Sequence, residues 1–149
     1  SDLAKYEVKQ MPEDYHFELG KATVIREGED VTLIGSGIMV SRCKEAAEIL
    51  RGRGISAEVI NVSTIKPLDT ETIIRSASKT KHVVTAENST VIGGLGGAVA
   101  EVLSEECPVK MRRIGIKDRF GHSGLIDELL EIYNLTTGDI VKKALEVLG

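Results

Sequence analysis

A carboxylate at the end of an apolar strand, followed by a run of glycines, is the strongest chemical signal in this sequence. Val83-Val84-Thr85-Ala86 reads as a short strand, Glu87 to Thr90 are polar and turn-prone, and Gly93, Gly94, Gly96 and Gly97 follow. Leu95, Val99, Val102 and Leu103 then recur at helical spacing. Glycine costs roughly 1 kcal/mol against alanine inside a helix. Four glycines in five positions therefore need a reason. Either backbone amides come close to something, or a neighbouring surface packs where side chains would collide. Close packing is the expected role. The free N–H groups at the start of a helix would also suit an anion. Glu87 could serve as a general base, but its expected role is to accept N–H groups of the turn that follows.

Two further stretches imitate motifs without completing them. Gly35-Ser36-Gly37-Ile38-Met39-Val40 lies between a strand and a helix, as a dinucleotide fingerprint should. Val40 stands where the third glycine belongs, and the next strand ends in Asn61-Val62-Ser63 with no acid to hold a ribose. A tight strand-to-helix turn is the expectation. Gly121-His122-Ser123-Gly124-Leu125 has a serine between glycines, but a nucleophile elbow needs glycine where Leu125 stands. His16, His82 and His122 have no metal-ligand spacing among them. Catalytic, cofactor-binding and metal-binding residues are therefore all expected to be absent.

Composition narrows the class further. The chain has 149 residues, enough for one domain with a real core, and its formal net charge is -4. That balance supplies no basic footprint for nucleic acid or a membrane surface. No apolar run approaches the ~20 residues of a membrane span. The polar N-terminus does not read as a signal peptide. The first residue is Ser, which suits a processed or excised chain. Cys43 and Cys107 are not in a metal or disulfide pattern, which points to a reduced, cytoplasmic setting. Cys43 falls on an apolar helix face.

The elements that must position these residues follow from periodicity. Residues 1–20 read as an arm, interrupted by Pro12, with three of the five aromatic side chains: Tyr6, Tyr15 and Phe17. Such residues are expected to anchor on another domain. Residues 21–149 read as the folded domain. Strands are predicted at Ala22–Ile25, Val31–Ile34, Ala57–Val62, Val83–Ala86 and Met111–Gly115. Helices are predicted from Gly37 to about Arg51, after Asp69 to about Ser78, after the glycines, over about Leu125–Tyr133, and from Thr136 onward. Asp69 is a candidate N-cap with Glu71 in the first turn. Thr136 and Asp139 resemble a capping box. The charge runs Glu27–Asp30 and Glu105-Glu106 read as solvated faces. Alternating strands and helices give an α/β class with a mostly parallel sheet covered on both faces. The turn between the first two strands is too short for a parallel crossover, so the first strand should run against the others.

Five motifs occur in order and carry a resemblance: Phe17 to Ala22, Arg26-Glu27-Gly28, Ile65-Lys66-Pro67-Leu68-Asp69, the Thr85-to-Val99 stretch, and Asp118-Arg119-Phe120-Gly121-His122-Ser123-Gly124. Together they resemble the C-terminal domain of transketolases, especially those whose C-terminal half is a separate chain. The family commonly has a second acid and then a histidine after the first acid; Asn88 and Ser89 stand there in this chain. The resemblance implies a three-layer α/β/α fold with a five-stranded mixed sheet in the order 1-3-2-4-5, the first strand antiparallel.

It also implies an enzyme that moves a two-carbon ketol unit between sugar phosphates with thiamine diphosphate and Mg²⁺. In the family these lie between upstream diphosphate- and pyrimidine-binding domains, so this domain alone should bind no cofactor and be inactive. The full enzyme is expected to be a homodimer. The β subunit of a 2-oxo acid dehydrogenase and deoxyxylulose phosphate synthase share the domain and are the alternative enzymes. A stand-alone regulatory module for a phosphorylated ligand is the alternative of another class. The order 1-3-2-4-5 brings the ends of the second and fourth strands together at the point where crossovers diverge, the usual ligand crevice of such sheets. A small crevice or domain interface is therefore expected at Ser36, Gly37, Glu87, Asn88, Gly93, Gly94, Gly96 and Gly97.

Overall fold

Buried strands alternate with amphipathic helices along the chain. In order they are β1 (Ala22–Arg26), β2 (Val31–Gly35), α1 (Met39–Arg51), β3 (Ala57–Val62), α2 (Thr70–Thr80), β4 (His82–Asn88), α3 (Leu95–Glu106), β5 (Lys110–Ile116) and α4 (Ile126–Leu148). The structure is a computed structural model that describes residues 20–88, 94–116 and 126–149, with backbone alone at 88, 116 and 126–135. Tyr6, Tyr15, Phe17, Gly93 and the loop from Asp118 to Gly124 lie outside the described residues.

The five strands form one sheet in the order β1-β3-β2-β4-β5. β1 pairs antiparallel with β3, and every other pairing is parallel. The short turn before β2 forces that reversal. β2 is buried at every residue, as a central strand covered on both faces must be. One face carries α1 and α4: Leu33, Val59 and Val84 pack with Cys43, Leu50, Ile140 and Ala144. The other carries α2 and α3: Ile34, Ile60 and Val83 pack with Ile73, Ala77, Leu95 and Val99. The expected three-layer architecture is the one observed.

Two expectations are corrected. β4 continues through Asn88, so Glu87 and Asn88 are strand residues opposite Gly115 and Ile116 of β5, not part of a turn. The last two helices are one, α4, running unbroken through Thr136 and Asp139. Local propensity favours a break at Thr136-Thr137-Gly138, but tertiary contacts override it. Thr136 and Thr137 are buried, and the Thr137 hydroxyl donates to Glu45 of α1 at 3.0 Å.

A buried acid fastens α2 to the sheet. Glu58 on β3 is 3% exposed and accepts the Gly28 amide at 3.1 Å and the Lys79 ammonium. Burial pushes its carboxyl up, but the bonds from Lys79, Ser76 and Gly28 outweigh this and hold it below the usual range. Beside it, Thr32 shares hydrogen bonds of 2.7 Å with Ser76 and with Thr80. Gly28 must be glycine for this turn to close. A Cβ there would lie 2.2 Å from the Ala57 carbonyl carbon. Among the described residues, no helix is long and apolar enough to cross a membrane.

Candidate functional site

The C-terminal ends of β2 and β4 lie side by side, because Gly35 pairs with Ala86. From there the chain diverges, β2 into α1 on one face and β4 toward α3 on the other. This is the topological switch point at which open α/β sheets place their sites. It brings Ser36 and Glu87 to the same end of the sheet.

Glu87 closes the start of α3. One carboxylate oxygen accepts the Gly94 amide at 3.3 Å and the other the Gly96 amide at 2.9 Å. An anion against the first helical N–H groups is favourable both as a hydrogen-bond acceptor and as a charge at the positive end of the dipole. The described glycines have separate reasons to be there. Gly94 has φ +95°, a left-handed backbone. Gly96 is a close approach: a Cβ would lie 2.9 Å from Arg113 Cδ and 3.1 Å from Thr85 Oγ1. A Cβ on Gly97 would meet nothing nearer than Arg113 Nη1 at 3.9 Å. The packing role thus belongs to Gly96 and the conformational role to Gly94.

The start of α1 is built differently. Ile38 occupies the cap position, so no side chain caps the helix, and its first turn holds no acid. The Met39 amide bonds the Ser36 carbonyl and the Val40 amide the Gly37 carbonyl. Gly37 has φ +58°. Gly35 lets the strand meet the helix, since a Cβ would lie 3.1 Å from Cys43 Sγ. Burial pushes the Cys43 thiol up to about 12, so this cysteine is a packing residue and not a nucleophile.

Beside this turn is an open depression of about 770 Å³, lined by Ile25, Ser36, Gly37, Ile38, Val40, Ser41, Lys44, Asn61, Val62 and Ser63. Of the expected crevice residues, Ser36 and Gly37 line it. Glu87, Gly94 and Gly96 form their own hydrogen-bonded group. Gly97 is exposed near Arg113, and Asn88 is placed by its backbone in β4. The sequence reading missed Lys44, Asn61 and Ser63. The signal was available in the placement of Asn61 at the end of β3, where a dinucleotide fold would carry its acid.

Asp69 is a further acid with a structural role. It caps α2, accepting the Thr72 amide at 3.2 Å and hydroxyl at 2.7 Å, and it also accepts the Ala22 amide of β1 at 2.8 Å. Burial raises its carboxyl, and the bonds from Ala22 and Thr72 outweigh that and hold it low. The expected cap is the observed one. Among the described residues, no group of three or more His, Cys, Asp or Glu side chains could hold a metal.

Residues 20–140 match the family model described as transketolase, C-terminal domain. The chain belongs to that family. This transketolase C-terminal domain is 56% identical over 135 residues to 6-deoxy-6-sulfo-D-fructose transketolase subunit SqwH of a Clostridium species, covering 91% of the chain and 42% of that relative. It is 47% identical over 135 residues to a putative transketolase C-terminal section of Methanocaldococcus jannaschii, covering 90% and 42%. A 1-deoxy-D-xylulose-5-phosphate synthase of Heliobacterium modesticaldum is 40% identical over 132 residues, covering 87% and 20%. Among solved structures, a split gene transketolase in the form of an inactive beta4 tetramer superposes with a TM-score of 0.80 at 46% identity, covering 93% of this chain and 45% of that one. The chain thus spans less than half the length of the curated relatives it matches.

Proposed function

We propose that this domain is the non-catalytic assembly domain of a thiamine diphosphate-dependent transketolase, which transfers a two-carbon ketol unit between sugar phosphates. Residues 1–20 link the folded part, 21–149, to diphosphate- and pyrimidine-binding domains that hold the cofactor. The full enzyme is a cytoplasmic homodimer. The edge formed by the two glycine turns is the face the domain presents to those neighbours.

The observation that carries this reading is the commitment of three acids, Glu58, Asp69 and Glu87, to the domain's own structure. Glu87 is engaged by the Gly94 and Gly96 amides, Asp69 by Ala22 and Thr72, and Glu58 by Lys79 and Gly28. The described residues do not fit thiamine diphosphate with its metal. Mg²⁺ takes hard oxygen ligands, commonly one or two carboxylates. No acid lines the depression beside α1, and Lys44 stands there instead. The structural relative is an inactive beta4 tetramer, which agrees with a chain that needs a counterpart.

Reconstitution tests the reading. The chain is mixed with a chain carrying the two upstream domains, and ketol transfer from a ketose phosphate to an aldose phosphate is measured. Activity is expected in the mixture and not in this chain alone. Substituting pyruvate with glyceraldehyde 3-phosphate tests the deoxyxylulose phosphate synthase alternative that the Heliobacterium relative favours. Calorimetric titration of the chain alone with thiamine diphosphate and Mg²⁺ should give only heats of dilution. Micromolar affinity, about -8 kcal/mol, would overturn the proposal.

A further inference from the structure

The depression beside α1 gathers apolar side chains that the rest of the surface does not. Val24, Ile25, Ile38 and Ile49 are the large apolar residues exposed among the described residues. Two of them, Ile25 and Ile38, exposed at 38% and 49%, line this one depression together with half-buried Val40 and buried Val62. Single apolar residues on a surface are ordinary, whereas apolar residues collected around one concavity mark a place where something docks. Lys44 is the only charged residue among those lining it. Lys44 is exposed and makes no hydrogen bond or ion pair among the described residues.

The chain itself brings a complementary segment to this place. The Gly20 amide is tied to the Thr64 hydroxyl, and Thr64 follows Ser63, which lines the depression. Ahead of Gly20 stands Glu13-Asp14-Tyr15-His16-Phe17-Glu18, two aromatic residues among three acids with no Lys or Arg. The rings match the isoleucines and the acids match Lys44. Reach is no obstacle. Phe17 is three positions and Tyr15 five positions ahead of Gly20, and an extended chain covers about 10 Å in three residues and about 17 Å in five. A contact made over so few residues of one chain works at an effective concentration on the order of millimolar. Aromatic side chains also supply a large contact area for only two rotatable bonds each.

We propose that residues 13–18 fold back onto their own domain, with Phe17 and Tyr15 against Ile25 and Ile38 and the acids beside them paired with Lys44. The contact shortens the free arm to residues 1–12. It also makes the docked segment part of the face at this end of the sheet. It is a property of this chain alone and stands whether or not the assembly reading holds.

The test is an NMR measurement on the full chain with ¹³C-labelled isoleucine methyl groups. Cross-peaks are expected from the ring protons of Phe17 and Tyr15 to the methyls of Ile25 and Ile38. In Phe17→Ala and Tyr15→Ala the Ile25 and Ile38 methyl signals should move and the corresponding cross-peaks vanish. Ile73 and Ile140, fully buried on the two faces of the sheet, should keep their positions and so report that each variant is folded. Lys44→Glu, which puts an acid among acids, should weaken the cross-peaks, and so should added salt. Cross-peaks unchanged in Lys44→Glu and in salt would overturn the charge pairing. Absence of ring-to-methyl cross-peaks in the wild-type chain, which needs no variant, would overturn the contact, as would methyl signals that stay fixed in both alanine variants. In a mixture of labelled and unlabelled chains, cross-peaks found only between chains would assign the depression to a second copy and overturn the fold-back.

Discussion

The turn from β2 into α1 and the turn from β4 toward α3 occupy equivalent places at one edge of the sheet, yet they finish their helices in opposite ways. The second turns an acid from its own strand onto the helix amides, so Glu87 completes the structure internally. The first leaves its helix uncapped and buries a serine hydroxyl without a partner. Both follow a buried strand and both are rich in glycine. The difference is a single carboxylate: α3 begins on a side-chain acid, whereas the first amides of α1 bond the backbone carbonyls of Ser36 and Gly37.

The largest expected effect comes from crowding the closed turn. Gly96→Val should destabilise the chain by about 2 kcal/mol through overpacking against Thr85 and Arg113. Gly97→Ala, one residue on, should be neutral or stabilising by up to ~1 kcal/mol from helix propensity. Urea melts of the two variants check this. Equal effects would mean that position in the turn, and not close approach, decides.

An intermediate effect is expected where a second acid closes a terminus. Asp69→Ala removes the cap of α2 and the partner of the Ala22 amide, and should cost about 2 kcal/mol. Because the folded carboxyl is held below its unfolded value, its contribution is full above about pH 4 and is lost as pH falls through the folded value. Melts from about pH 5 downward should therefore converge for wild type and variant at the acid end. A constant gap across that range would remove the ionised carboxylate from the explanation.

The smallest effect tests the turn into α1. Ser36→Ala deletes the unpartnered hydroxyl and should raise stability by up to ~1 kcal/mol in urea melts. A loss of stability would show that Ser36 already has a structural partner.

Much of this arrangement was legible in the sequence. The short turn at Gly28 set the direction of β1, and the apolar run of β2 its burial on both faces, while the strand order came with the family resemblance. Asp69 was readable as a cap because capping is local. Legibility failed wherever a distant residue decided the outcome. Thr136-Thr137-Gly138 reads as a helix break until Glu45 of another helix accepts the Thr137 hydroxyl. Glu87 and Asn88 read as turn residues until β5 pairs with them. Glu58, an acid within a buried strand, gave no hint that Lys79 would meet it. Lys44 looked like an ordinary surface lysine, and only the folding of β3 alongside α1 puts it beside Asn61 and Ser63.

The antiparallel direction of β1 has a consequence for tethering. Ala22, its first residue, pairs with Val62, the last residue of β3, and the Gly20 amide is tied to the Thr64 hydroxyl at 3.1 Å. The strand therefore begins at the same edge that carries Ser36 and Glu87. Had β1 been parallel, the chain would reach it from the far side of the sheet. A domain joined ahead of Gly20 by a short linker is delivered to this edge at an effective concentration on the order of millimolar. Contacts there need supply little intrinsic affinity to be occupied. Separating the two parts into different chains would remove that advantage, and the same surface would then have to bind at cellular concentrations through its contacts alone.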